Sequence, residues 1–179
     1  MVVIDLILHV SLLNLIACSP FDNLDRTNYR KNEIPFTGDK PVNVTVQVYF
    51  YSVGPIDEAD FTFETGFYLR QWWTDQRLRF NSTKPLRTTS LDDLIWIPNT
   101  SAADSHSVTN FPNAIRTVVE PSGNVYVSRR LKVVSTCEMN LNNYPMETQT
   151  CHLLFETCEF FSLCLFLFFP REIIFFILI

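Results

Sequence analysis

Tyr68 and Arg70 stand two positions apart in a stretch that alternates in character from residue 60 to 73, so both project from one side of an extended chain. An arginine guanidinium is a planar fork that can hold a carboxylate through two hydrogen bonds, and a tyrosine ring beside it can wall a ligand ammonium. The pair could therefore hold a carboxylate beside an aromatic wall. It equally suits a solvated sheet face on which Arg70 is paired with an acid such as Glu64. A second chemistry lies at Cys137 and Cys151, with thirteen residues between them. By spacing alone these are either a disulfide closing a ring or two reduced thiols. They are not a zinc site, since two sulfurs and one imidazole, His152, stand without a CxxC pair. His9, His106 and His152 are scattered, and no acid pair or nucleophile arrangement stands out, so the sequence argues against an enzyme. No glycine-rich phosphate loop is present and no cofactor is implied.

The elements that must position these residues come from a chain of 179 residues, enough for one domain. Its 47% hydrophobic content excludes general disorder, and its net charge of −5 argues against a nucleic-acid partner. Residues 1–18 read as a secretory signal peptide: an apolar run from Ile4 to Ala17, ending before Cys18-Ser19-Pro20, although no Lys or Arg precedes it. A buried N-terminal helix is the other reading. Three N-x-[ST] sequons, at Asn43, Asn81 and Asn99, fit an exported, glycosylated chain.

Residues 19–41 are polar and read as a loosely held segment with a short helix at most. From Val42 the period becomes two. Val42, Val44, Val46, Val48 and Phe50 share one face; Asn43, Thr45, Gln47, Tyr49 and Tyr51 share the other. Gly54-Pro55 is expected to end this strand. In the next, residues 60–73, Phe61, Phe63, Thr65, Phe67, Leu69, Gln71 and Trp73 share one side, and Thr62, Glu64, Gly66, Tyr68, Arg70 and Trp72 share the other. Further strands are expected at 78–80, at 124–135 after a Pro121-Ser122-Gly123 turn, and from 152, with Leu91–Ile97 as a turn or edge. Many short strands and no βα alternation give an all-β fold, a β-sandwich.

Several pieces resemble one family in order. Val53-Gly54-Pro55-Ile56, Leu69-Arg70-Gln71-Trp72-Trp73-Thr74-Asp75-Gln76-Arg77-Leu78, Ile95-Trp96-Ile97-Pro98-Asn99 and Gly123–Arg130 are similar to segments of Cys-loop receptors, the pentameric neurotransmitter-gated ion channels. The ring C-E-M-N-L-N-N-Y-P-M-E-T-Q-T-C is similar to their signature loop, with Glu147 where the family usually has Asp. The resemblance runs from about Val42 to Glu156 and is strongest to the anion-selective branch, which includes receptors for GABA, glycine and glutamate.

This resemblance implies an immunoglobulin-like β-sandwich over residues 42–157, a Cys137–Cys151 disulfide, and a ring tip of Tyr144, Pro145 and Met146 that leans on the channel domain. It implies that Tyr68, Arg70, Tyr126 and Ser128 line the complementary face of an agonist site between two subunits, with Arg130 sharing that face. Partners would be other subunits of a pentamer and a small amino-acid neurotransmitter, at the extracellular face of the plasma membrane. Trp73 and Trp96 would be core. The departures count too. Thr100–His106 is short for the family, and the strands and four membrane helices expected after Glu156 are not recognisable. The sandwich is therefore expected to be incomplete at its C-terminus and to lend only its complementary face, since each interface of such a ring needs two different faces. Residues 158–179 are an apolar tail split by Pro170-Arg171-Glu172, a poor membrane span and at most a weak membrane contact. It reads as foreign to the family, as a truncated or wrongly spliced transcript would leave. Cys158 and Cys164 either pair or stay free. A secreted β-sandwich module, or a non-functional truncated subunit held in the endoplasmic reticulum, is the competing reading.

Overall fold

The computed structural model describes residues 29–35, 42–89, 94–140, 142, 148–157, 165–167 and 172–178. The signal-peptide reading, the ring tip Tyr144–Met146, Cys158 and Cys164 lie outside the described residues. Ten strands are described: β1 Val42–Asp57, β2 Thr62–Thr74, β3 Leu86–Thr88, β4 Thr100–Ala102, β5 Ser105–Asn110, β6 Arg116–Val119, β7 Asn124–Thr136, β8 Thr148–Thr157, β9 Leu165–Leu167 and β10 Glu172–Leu178. One sheet runs β3-β6-β7-β2-β1-β9, with β5 also on β7; the other runs β10-β8-β4. The fold is all-β, as the alternation implies.

Period-two patterning builds the core. Val42, Val44, Val46, Phe63, Phe67, Leu69, Trp73, Val125, Val127 and Val133 are buried from the larger sheet. Ala102, Leu153 and Phe155 are buried from the smaller one, and Phe67 meets Phe155 edge-on across the gap at 5.6 Å. Each such side chain contributes about 1.5–3 kcal/mol of transfer free energy when fully buried. Trp73 and Trp96 pack edge to face, their rings 5.9 Å apart, which makes both core residues. Gln71 is buried among them and ties β2 to the second sheet: its Nε2 donates to the Pro98 carbonyl at 3.1 Å and to Thr100 Oγ1 at 3.0 Å.

Several expectations change. Gly54-Pro55 does not end β1; the register against β2 shifts between Val53 and Ile56 and pairing resumes. A proline lacks the amide donor of a ladder, and an irregularity is where a strand tolerates it. Phe61 does not share the buried side of Phe63, Phe67 and Trp73. It sits in the turn before β2 with φ 51 and stays exposed. Residues 78–80 are not a strand; Gln76–Leu78 is a 3-10 turn capped by the Asp75 side chain, and it drives Leu78 into the core. The segment 100–106 is a switch between sheets. β4 pairs with β8, and after Ala103-Asp104 the chain enters β5 against β7. The tail has a place in both sheets: β9 runs parallel to Val42–Val44 of β1, and β10 pairs antiparallel with β8 from Thr148 to Leu154. Among the described residues no helix is long and apolar enough to cross a membrane.

Tyr29 is not loosely held. Its hydroxyl donates to Asp75 Oδ2 at 2.9 Å and accepts from the Trp96 amide at 2.8 Å, so it pins the N-terminal segment to the sandwich. Burial above all, aided by the nearby Asp75 charge, pushes this phenol's pKa well above its ordinary value. Arg77 lies over the Tyr29 ring, 4.5 Å from its centroid, and grips Asp75 through Nε and Nη2 at 2.9 and 2.8 Å. Gly123 makes room beside this cluster: it has φ +88, and a Cβ there would meet the Asp75 carbonyl oxygen at 2.6 Å.

Cys137 and Cys151 are bonded, with their Cα atoms 5.0 Å apart, and both are buried. The neck of the ring is also laced by Gln149, whose Oε1 accepts from the Asn140 amide at 3.0 Å while Nε2 donates to the Asn140 carbonyl at 2.8 Å. Met139 packs against the core. Opening the ring by Cys137→Ser is expected to cost about 2–5 kcal/mol, as for other native disulfides of small exported domains. Peptide mapping without reduction checks the premise: the Cys137 and Cys151 peptides should migrate as one linked species in exported protein. Free thiols at both positions would show that the ring is not closed.

Candidate functional site

The outward face of the larger sheet carries the candidate residues. Strand register sets their neighbours: Gln47 is opposite Arg70, Tyr49 opposite Tyr68, and Thr45 opposite Trp72 across β1 and β2. Across β2 and β7, Tyr68 faces Arg130, Arg70 faces Ser128, and Trp72 faces Tyr126. Tyr68, Arg70, Tyr126, Ser128 and Arg130 thus share one surface. Their exposure differs. Ser128 is only 8% exposed, lying between Arg70 on β2 and Arg116 on β6 in the register, whereas Tyr68, Arg70 and Tyr126 are half-buried.

Arg70 does not take Glu64 as a partner. Glu64 pairs with Lys132 at 2.7 Å, further along the same face. Arg70 instead donates through Nη1 to Gln47 Oε1 at 3.3 Å and lies above the Tyr49 ring, 5.6 Å from its centroid. Its Nε is buried without an acceptor. Among the described residues it is therefore held by a neutral amide and an aromatic face, an arrangement that leaves the cation's charge uncompensated. Such a guanidinium can accept a carboxylate through its remaining donors.

Aromatic rings surround it. Tyr51 and Tyr68 are 5.5 Å apart, Tyr49 and Tyr68 are 6.4 Å apart, and Trp72 and Tyr126 are 5.0 Å apart, all tilted. Arg130 caps the Tyr51 ring at 4.6 Å, and a hydrogen bond with Tyr51 raises its pKa above the ordinary guanidinium value. Gly66, on the same face, leaves room for Tyr51 and Ser52: a Cβ there would come within 2.7 Å of the Tyr51 ring and closer still to the Ser52 hydroxyl. Sequence reasoning placed Gln47, Tyr49 and Tyr51 on one side of β1 but did not connect them with Arg70. The alternation that sorted them was the available signal; the missing step was the register.

The sequons are all on exposed asparagines, and Asn43 occupies the face of β1 that also carries Gln47 and Tyr49. Among the described residues no group of three or more metal-ligating side chains comes together.

Comparison with known proteins gives a consistent result. A family profile described as the neurotransmitter-gated ion-channel ligand binding domain matches residues 21–163. The chain is 33% identical over 136 residues to the human gamma-aminobutyric acid receptor subunit gamma-3, a match covering 72% of this chain and 29% of that protein. It is 35% identical over 137 residues to the Gallus gallus subunit gamma-4, covering 73% and 30%. Against the Bos taurus subunit pi it is 33% identical over 156 residues, covering 84% and 35%. The chain spans about a third of the length of these curated relatives.

Proposed function

From a chain that belongs to the neurotransmitter-gated ion-channel ligand-binding domain family, which is not a family of enzymes, we propose an extracellular ligand-binding portion of a chloride-channel subunit. Its β2–β7 face lends Tyr68, Arg70, Tyr126 and Ser128 to a site for a small amino acid, completed by a neighbouring subunit of a pentamer. One observation carries this reading: Arg70 is held between Gln47 and Tyr49, amid aromatic rings, with no carboxylate partner among the described residues. The agonist carboxylate takes the fork of Arg70, and Ser128, opposite it in the register, supplies a hydroxyl. Tyr68 and Tyr126 wall the site, with an aromatic face available to an ammonium. The chain reaches the cell exterior through the secretory pathway, bearing N-glycans at Asn43, Asn81 and Asn99. The ring tip Tyr144-Pro145-Met146 then transmits binding toward the membrane.

The test uses membranes from cells that co-express this chain with a full-length relative able to supply the opposite face. Tritiated GABA and tritiated glycine are the probes. Saturable binding of one of them, above that of the relative alone, is expected, along with a shift in this chain's mobility on N-glycosidase treatment. No added binding with either probe, in membranes where the two chains co-precipitate, would refute the agonist-site reading.

A further inference from the structure

The last strand of a sheet leaves one row of backbone donors and acceptors without a ladder, and folded chains blunt such edges by shortness, charge, proline or a bulge. Among the described residues the edges of this fold follow that rule with one exception. β3, β9 and β4, which end the two sheets, have three residues each. β5, paired only with β7, is largely polar, and its register breaks between Ser105 and Ser107. The exception is β10. It ends the smaller sheet, is seven residues long, and among the described residues pairs with β8 alone.

From Glu172 to Leu178 the strand reads Glu-Ile-Ile-Phe-Phe-Ile-Leu. It holds no proline, glycine or lysine, and six apolar residues in succession follow its one charge. All seven residues keep register with β8 without a bulge. Such a segment at a sheet edge is a template for another strand of like kind. Charge placement decides which strand and which direction. Beside a parallel copy, the two Glu172 residues would stand about 4.8 Å apart, and like charges directly opposite destabilise a ladder. Beside an antiparallel copy centred on Phe175, which uses the whole strand, Glu172 of one copy meets Leu178 of the other. The two carboxylates are then about 20 Å apart, beyond the reach of screened repulsion.

We propose that β10 is a self-association edge whose partner is a second copy of this chain. The two β10 strands pair antiparallel about a two-fold axis and join the smaller sheets of both copies into one sheet of six strands, β4-β8-β10-β10-β8-β4. The contact is isologous and occupies the edge on each copy, and the strand left outermost on either side, β4, has only three residues. The assembly therefore closes at two copies instead of growing into a fibre. It takes nothing from the β2–β7 face and does not depend on the agonist-site reading.

The experiment co-expresses two differently tagged copies of the full chain, solubilises microsomes in dodecyl maltoside, and reads co-precipitation of the tags and the protein mass by light scattering. Co-precipitation and a mass of two copies are expected. Ile174→Lys and Phe176→Lys, at positions opposite the exposed His152 and Thr150, put a cation on the edge strand. Each should cut co-precipitation at least tenfold, with the Cys137–Cys151 linkage intact as the sign of a folded chain. Direction is read separately: copies carrying Glu172→Cys, co-expressed with copies carrying Leu178→Cys, should give a disulfide between positions 172 and 178, mapped by peptide mass spectrometry. The proposal is overturned by a parent mass of one copy or of more than two, by co-precipitation that persists in folded lysine variants, by a 172–172 link, or by no 172–178 link. Resistance of the chain to carbonate extraction would overturn it too, since lipid and not a second copy would then cover the strand. The parent mass and the cysteine link decide the matter even if the lysine variants do not fold.

Discussion

Asp75→Ala should sharply lower the accumulation of folded chain. Asp75 is fully buried, and its carboxylate accepts four hydrogen bonds: from the Tyr29 hydroxyl at 2.9 Å, the Arg77 amide at 3.0 Å, Arg77 Nε at 2.9 Å and Arg77 Nη2 at 2.8 Å. Removing it strands the Arg77 charge over the Tyr29 ring, uncaps the turn at Gln76–Leu78 and releases the N-terminal segment that Arg77 holds through the carbonyls of Arg30 and Glu33. Breaking a buried pair by deleting one partner costs about 3–5 kcal/mol. A domain of this size has only about 5–15 kcal/mol of stability in total. Asp75→Asn preserves shape and one acceptor oxygen, so it should lose less. The measurement is the yield of protease-resistant, disulfide-linked chain from cells, parent against both variants at equal synthesis. A yield of Asp75→Ala equal to the parent's would show that the cluster is dispensable and that the hydrophobic core alone sets stability.

That cluster also shows where a sequence stops being readable. Asp75 and Arg77 belong to the stretch that resembles the family, and their spacing is visible in it. Tyr29 lies forty-six positions before Asp75, in a segment whose polar composition suggests nothing fixed. No local pattern announces a contact at that separation. The long strands β1 and β2 were legible because each repeats the period of two over many residues, and burial of one face selects that repeat; β7 was announced by the Pro121-Ser122-Gly123 turn before it. β3 and β6, at three and four residues, are too short to carry a period. The ring was legible from its pattern, but the role of Gln149 in closing the neck needed the backbone geometry at Asn140. On the candidate face, alternation told which residues point outward and left open how far one strand slides against the next. A slip of two residues would keep every face and replace Gln47 beside Arg70 with another side chain.

The register makes Arg70 the residue on which the proposed function is most exposed to test. In a channel formed with a full-length relative, Arg70→Ala should shift the agonist concentration–response curve to the right by about 2–5 kcal/mol, roughly thirty-fold to a few thousand-fold. The physical reason is that the ligand carboxylate, desolvated between subunits, would lose its charged partner. Arg70→Lys keeps a charge but gives up the planar fork, and an ammonium cannot copy the contact with Gln47 and the stack on Tyr49 together, so it should be impaired as well, though less. Gln47→Ala removes one neutral hydrogen bond that steadies the guanidinium. A smaller shift is expected there, of about 1 kcal/mol. Glu64→Gln, which breaks only the pair with Lys132, should leave agonist sensitivity where it was. The graded order Ala, then Lys, then Gln47→Ala is the discriminating result, because a merely structural arginine would affect surface expression rather than the midpoint. Surface expression is measured alongside by biotinylation. Unchanged midpoints for both Arg70 variants at normal surface expression would remove Arg70 from the site, and with it the assignment of this sheet face to the agonist.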